Sequence, residues 1–246
     1  MEDLFYEIFT ELPRQGPGDY ESTIKALRSI PELPATVRIL DVGCGTGNQT
    51  IDLAGEINGK IVAIDNYQPF LDRLEYNANK HELSDKIEIR LADMSKLNFI
   101  KESFDIIWSE GAVYILGLQN ALKQWKKFIK PQGYIVVSDF NWLVKEPPRE
   151  IYDYFMQDAI HATDAEGSRK IISNAGYDLI KDFTIPENDW YEFYNQLEEV
   201  LELFRKIKAD DKKSLGVIDS IQYEIDLFRK YPGTYGYMFY VMQKKD

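Results

Sequence analysis

The sequence predicts an α/β fold with a doubly wound, mostly parallel sheet. Three observations predict it. From Val37 to Asp139, short apolar segments rich in β-branched residues alternate with helical patterns, which implies parallel strands covered by helices on both faces. The first of those strands runs straight into a glycine-rich loop, "DVGCGTG", that opens a helix. Four strand ends carry an acid at once or within two residues, namely Asp41, Asp65, Asp93 and Glu110. Ligands of doubly wound sheets sit at the carboxyl ends of the strands, so four carboxylates on that rim point to a ligand with several hydroxyl, amine or cationic groups.

The elements follow in order. Residues 2–12 place Leu4, Phe5, Ile8, Phe9 and Leu12 on one helical stripe, and Pro13 stops it. The turn-rich loop "RQGPGD" leads to a second helix, 20–29, closed by Pro31 and Pro34. Strands are expected at 37–40, 60–64, 87–91, 104–108 and 134–138, with helices at 48–57, 68–81 and 119–129 between them. Pro131-Gln132-Gly133 reads as a turn. Beyond Asp139 the pattern loosens: a helix from Pro147-Pro148 to about His161, another over 164–174, a strand over 177–185 and a closing strand over 236–243. Residues 187–230 read as a mostly helical insertion over the sheet edge or the rim. The organisation expected is one domain over 1–246: a helical cap (1–34), a ligand-binding core (35–140) and a C-terminal half (141–246).

Composition narrows the classes. The chain has 246 residues, 44% hydrophobic and 28% charged, enough for a well-buried core. Its net charge of −12 argues against sequence-independent nucleic-acid binding, which needs phosphate neutralisation. The one dense basic patch, "KQWKKFIK" at 123–130, reads as the solvated face of a helix. No apolar run approaches the roughly 20 residues of a membrane span, and the acidic start lacks the features of a signal peptide. A single cysteine, Cys44, fits a reducing, cytoplasmic setting. With two distant histidines and that one cysteine, no metal-ligand cluster stands out.

The glycine loop carries the strongest signal. Glycines there allow tight turning and close backbone approach, and the helix behind offers free N–H groups and a positive dipole end. A dinucleotide loop reads G-x-G-x-x-G. Counting from Gly43 the third glycine falls on Asn48, and from Gly45 on Thr50, so that spacing fails in both registers. The pattern is instead D-x-G-x-G-x-G, and an acid this close favours a ligand bearing an ammonium over a pyrophosphate.

"LDVGCGTG", "AIDNYQPFL" and "ADM" together resemble the class I S-adenosylmethionine-dependent methyltransferases, over roughly Val37 to Asp139 and more loosely the last strand. The resemblance implies a Rossmann-like, seven-stranded sheet with an antiparallel last strand and helical lid segments. It implies S-adenosyl-L-methionine as cofactor, with Gly43, Cys44, Gly45 and Gly47 packed on its methionyl part and Asp41 near its amino group. Asp65, with Asn66, would take the ribose hydroxyls, and Asp93 and Met94 the adenine. The overall likeness is to the small-molecule, ubiquinone/menaquinone-biosynthesis-like branch, with a small-molecule methyl acceptor, no nucleic acid, no membrane insertion, and a homodimer as the oligomer to test for.

At the fourth strand the N-P-P-Y type segment of base-amino methyltransferases is replaced by Ser109-Glu110-Gly111-Ala112, which disfavours that chemistry. The resemblance puts Ser109 near the methionyl end and Glu110 in the cleft, where it would contact cofactor, hold substrate or accept a proton as the catalytic candidate. Gln15, Gly16 and Gly18 would approach the cofactor from the cap. Tyr114, Trp142, Trp190, Tyr191 and Tyr194 would together give an aromatic lid suited to a flat apolar or cationic substrate, while any single one of them reads more readily as core of the helical insertion. Cys44 reads as packing, since no basic neighbour lowers its pKa; His161 is the better placed histidine and His81 a solvated one. Two rival readings stand beside this one: a cofactor-binding module without turnover, and a nicotinamide-dependent oxidoreductase.

Overall fold

The computed structural model describes residues 2–157 and 163–245. The chain opens with α1 (Glu2–Thr10) and α2 (Tyr20–Arg28). The core follows as β1 (Val37–Val42), α3 (Asn48–Glu56), β2 (Gly59–Asp65), α4 (Gln68–Lys80), β3 (Ile87–Leu91), β4 (Phe104–Glu110), α5 (Leu118–Trp125) and β5 (Ile129–Trp142). The remainder is α6 (Arg149–Gln157), β6 (Thr163–Asp164), α7 (Ala165–Asn174), β7 (Tyr177–Thr184), α8 (Glu187–Ile207), α9 (Lys212–Lys230) and β8 (Tyr235–Lys244).

Seven strands lie in the order β3-β2-β1-β4-β5-β8-β7, and the two-residue β6 pairs with β5 off that path. β8 is antiparallel to both its neighbours, while the pairs from β3 through β5 are parallel. Strand order reverses between β1 and its neighbours β2 and β4, which is where a doubly wound sheet opens a crevice. Both faces of the sheet are apolar because alternate residues point to opposite sides. Ile39, Ile61 and Ile106 join the core under α1 to α3, and Leu40, Val62 and Ile107 join the core under α5.

Several boundaries differ from the sequence reading. β4 continues two residues further, so Ser109 and Glu110 pair with Val137 and Ser138 of β5; the backbone ladder persists although the side chains turn polar. β5 starts at Ile129, and Pro131-Gln132-Gly133 forms a bulge inside it, with Gln132 at φ 59° and the register shifting between Phe104 and Ile106. Residues 187–230 resolve into two helices, α8 and α9, packed on each other and on α1. α8 buries Trp190, Tyr194, Leu197, Leu201 and Phe204 on one stripe. Trp190 stacks on Phe228 and meets Tyr235 edge-on at 5.1 Å, and Trp142 is equally buried. Those aromatics are core, not lid. No described helix is long and apolar enough to cross a membrane.

Candidate active site

β1 delivers the glycine loop to the switch point, where the Gly43 and Cys44 N–H groups both donate to the Ile64 carbonyl at 2.9 Å. The loop is thereby pinned to the end of β2. Gly43 has φ 72°, and a Cβ there would meet the Ala112 methyl at 2.6 Å. Gly47 needs its hydrogen for another reason: at φ 86° a Cβ would drive into Leu74 of α4 at 2.1 Å. Gly43 thus keeps a cavity wall free of side chains, whereas Gly47 lets two helices approach.

The cavity above this loop measures about 360 Å³. Gln15, Gly16, Gly43, Cys44, Gly45, Asp65, Asn66, Asp93, Met94 and Glu110 all line it. Phe5, Tyr6 and Phe9 of α1, with Phe70 of α4, close one side; they lie on or beside a helical stripe the sequence shows but does not aim. Tyr114 is the one member of the expected aromatic lid that lines the wall.

Asp65 ends β2 with its carboxylate at the cavity. One oxygen accepts from the Gly45 N–H at 3.0 Å and the other from the Tyr67 N–H at 3.1 Å. Burial raises its pKa, and those backbone donors partly offset the rise. Asp93 is more exposed. It accepts from the Ser95 N–H and hydroxyl at 2.8 and 2.6 Å and faces Lys96, and the Ser95 hydrogen bonds hold its carboxyl below the usual range. Met94 lies against Gly43, and its carbonyl accepts from the Trp125 indole at 3.2 Å.

Three expected residues stand behind the wall instead of on it. Asp41 is fully buried; Thr50 donates to one of its oxygens at 2.6 Å, and the other has no hydrogen-bond partner. Burial pushes its pKa up to about 7. Ser109, also fully buried, donates to the Val42 carbonyl at 2.8 Å and so ties β4 to β1. Gly47 is the third. Gly18 belongs to the cap, beside the Arg14 guanidinium. Burial raises the Cys44 thiol well above its ordinary pKa, which suits an inert packing residue. His161 lies outside the described residues.

Glu110 faces the cap. Its carboxylate forms an ion pair with Arg14, accepts from the Thr23 hydroxyl at 3.0 Å and from the Trp108 indole at 2.7 Å, and is 5% exposed. Next to it Gln15 accepts from the Thr46 N–H and hydroxyl at 2.8 Å and donates to the carbonyls of Phe9 and Leu12. Arg14, Thr23 and Gln49 (whose amide donates to the Cys44 carbonyl at 3.1 Å) are site residues the sequence reading missed. The signal was present for Arg14, the residue beside Gln15 in a flagged loop.

A family model described as a methyltransferase domain matches residues 34–205. The chain belongs to that family. Phosphoethanolamine N-methyltransferase 1 of Zea mays is 27% identical over 195 residues, covering 78% of this chain and 37% of the maize protein. A sterol 24-C-methyltransferase of Clavispora lusitaniae is 26% identical over 226 residues, covering 83% of this chain and 59% of the yeast protein. The chain therefore spans 37% and 59% of the length of these two relatives, less than two thirds of either. A solved S-adenosylmethionine-dependent methyltransferase of Geobacter sulfurreducens, in complex with S-adenosyl-L-homocysteine, superposes with a TM-score of 0.85 at 15% identity, over 100% of this chain and 99% of that one. The fold of that structure thus matches this chain from end to end, cap and paired helices included.

Proposed function

We propose that this chain is an S-adenosyl-L-methionine-dependent methyltransferase acting on a small molecule. The observation that carries the reading is one cavity wall on which a side-chain-free glycine loop and the Asp65 carboxylate stand together, joined by the Gly45 N–H. Gly43, Cys44 and Gly45 would hold the methionyl part of the cofactor. Each Asp65 oxygen has accepted one backbone N–H and keeps a lone pair for a ribose hydroxyl beside Asn66. Met94 offers an apolar surface to the adenine and Asp93 an acceptor. Asp41, Gln49 and Ser109 support this wall from behind.

The bound cofactor supplies an electrophilic methyl group on a sulfonium. The chain's own contribution is alignment and exclusion of water, provided by α1 and the Arg14–Gly18 loop closing over the cavity. Glu110 serves in this reading as a positioning residue: its two oxygens are held by three donors, Arg14, Thr23 and Trp108, and its side chain is almost wholly buried, so its capacity goes into holding the cap. The narrower quinone-pathway branch draws no support from the relatives above, whose names point to sterols and phosphoethanolamine. Arg14 is the one Lys or Arg among the described lining residues, and Glu110 occupies it. A phosphomonoester acceptor would need more positive charge than that, which favours a neutral or cationic acceptor.

Thermal melting tests the reading. A ligand at about 100 times its dissociation constant adds roughly 2.7 kcal/mol, a shift of several degrees for a chain this size. S-adenosylmethionine and S-adenosylhomocysteine are expected to raise the midpoint and NAD to leave it unchanged. No shift with either sulfur compound, or an equal shift with NAD, overturns the proposal.

A further inference from the structure

A second cavity, about 450 Å³, lies on the other side of the Pro13–Asp19 loop, between that loop and helices α3, α4 and α8. It shares Arg14 and Gly16 with the first cavity. Its lining carries five carboxylates, Glu11, Asp19, Asp52, Asp189 and Glu192, against two guanidinium groups, Arg14 and Arg73, and the imidazole of His81. Three of the acids are accounted for: Asp19 caps α2 through the Ser22 N–H, Glu192 accepts from Asn188, and Glu11 is exposed. Arg14 is held by Glu110 and Arg73 lies out over Tyr76.

Asp189 and Asp52 are not accounted for. Asp189 is 8% exposed, and its Oδ2 is sealed from solvent without a hydrogen-bond partner. An acid in the first turn of α8 suits the helix dipole, as the exposed Glu187 does, but the dipole does not explain burial. Asp52 is half-buried on α3, and among the described residues its carboxylate has only through-space neighbours: Arg14, Glu110, His81 and Asp19. Burial pushes both carboxyl pKa values up to about 6. Asp189 is raised further by Asp19 and Glu192 and lowered by Arg14. A desolvated carboxylate with no partner costs stability, and two around one cavity mark a place where a ligand supplies what the protein does not.

We propose that this cavity binds a small organic cation, a protonated primary or secondary amine, held by Asp189 and Asp52. Its N–H groups donate to the two carboxylates, while Ile51 and Phe193 face its carbon chain, the ring also favouring positive charge. An ammonium suits the site better than a metal ion, because no group of three or more carboxylates, histidines or cysteines among the described residues is arranged to hold one. The inference does not depend on the cofactor reading.

Calorimetric titration of the whole chain with putrescine tests it, with 1,4-butanediol as the uncharged isostere. At pH 7.5 putrescine is expected to saturate one site and the diol to give no heat. Asp52→Asn and Asp189→Asn should each weaken putrescine by about tenfold or more, and Glu11→Gln by less than about twofold. Lowering the pH to 5.5 should weaken binding to the unaltered protein, since both carboxylates take up protons near pH 6. S-adenosylhomocysteine titrated into the Asn variants should bind as to the unaltered protein, so loss of the amine is separable from failure of the cofactor site. No putrescine heat, equal binding of the diol, or unchanged affinity in both Asn variants and at pH 5.5 overturns the proposal.

Discussion

Asp65 and Glu110 end the two strands that flank and neighbour β1 on the same rim of the sheet, yet the fold uses them differently. Asp65 is held by local backbone: its donors, Tyr67 and Gly45, lie 2 and 20 residues away. Two oxygens with one bond each leave capacity turned toward the cavity. Glu110 is held by side chains that come from far along the chain: Thr23 lies 87 residues away and Arg14 96. A carboxylate has about four acceptor sites, and a guanidinium, a hydroxyl and an indole take three of those of Glu110. One acid is left available to a ligand. The other is consumed in fastening the cap over that ligand's cavity.

The sharpest way to break this contrast is to remove Asp65. Hydrogen bonds to a charged acceptor contribute roughly 1.5–3 kcal/mol each, so losing two predicts that Asp65→Ala weakens S-adenosylmethionine by about 100-fold or more in a calorimetric titration. The Gly45 and Tyr67 N–H groups also lose their acceptor, so a loss of about 1–2 kcal/mol in folding stability is expected alongside. An affinity within a few-fold of the unaltered protein would show that the ribose is held elsewhere.

Glu110→Gln probes the other half. The amide keeps the size of the side chain and an acceptor for Trp108 and Thr23 but leaves Arg14, itself only 15% exposed, without its counter-charge. Removing one partner of a buried pair costs up to about 3–5 kcal/mol; at this partly exposed pair about 1–2 kcal/mol of stability is expected, with roughly tenfold weaker cofactor binding as the cap loosens. The pH dependence of turnover should keep its shape. A lost basic limb in the rate profile with cofactor affinity intact would restore Glu110 as a general base.

This contrast also marks what was legible beforehand. The parallel sheet, the glycine loop and the acids at strand ends could be read because all are encoded within a strand and its following loop. Glu110 could be seen at the rim, but the identity of its partners depends on α2 and the Arg14 loop folding back over β4, which no local pattern states. Trp190 and Tyr194 stayed open between lid and core for the same reason: helical spacing puts them on one face and does not say what that face meets, and Tyr235 and Phe228 settle it as core. Asp41 shows a further limit. Its place in the motif is plain, whereas its complete burial under Thr50 and the glycine loop follows from β2 and β4 closing on either side.

Asp93 lies between the two cases and gives the smallest effect. Like Asp65 it is satisfied locally, through Ser95, and like Glu110 it has a cationic neighbour, Lys96. Its side chain is 45% exposed, so water competes for every bond it makes, and a contact with an adenine amino group there replaces a solvated one. Asp93→Asn keeps an oxygen for the Ser95 N–H and removes only the charge. The expected loss of S-adenosylmethionine affinity is therefore about three- to tenfold, well short of Asp65→Ala, with stability nearly unchanged because exposed ion pairs such as that with Lys96 contribute little. If Asp93→Asn instead matched Asp65→Ala in a side-by-side titration, the adenine end would be gripped as firmly as the ribose. Exposure would then be a poor guide to which acid on this rim bears the ligand.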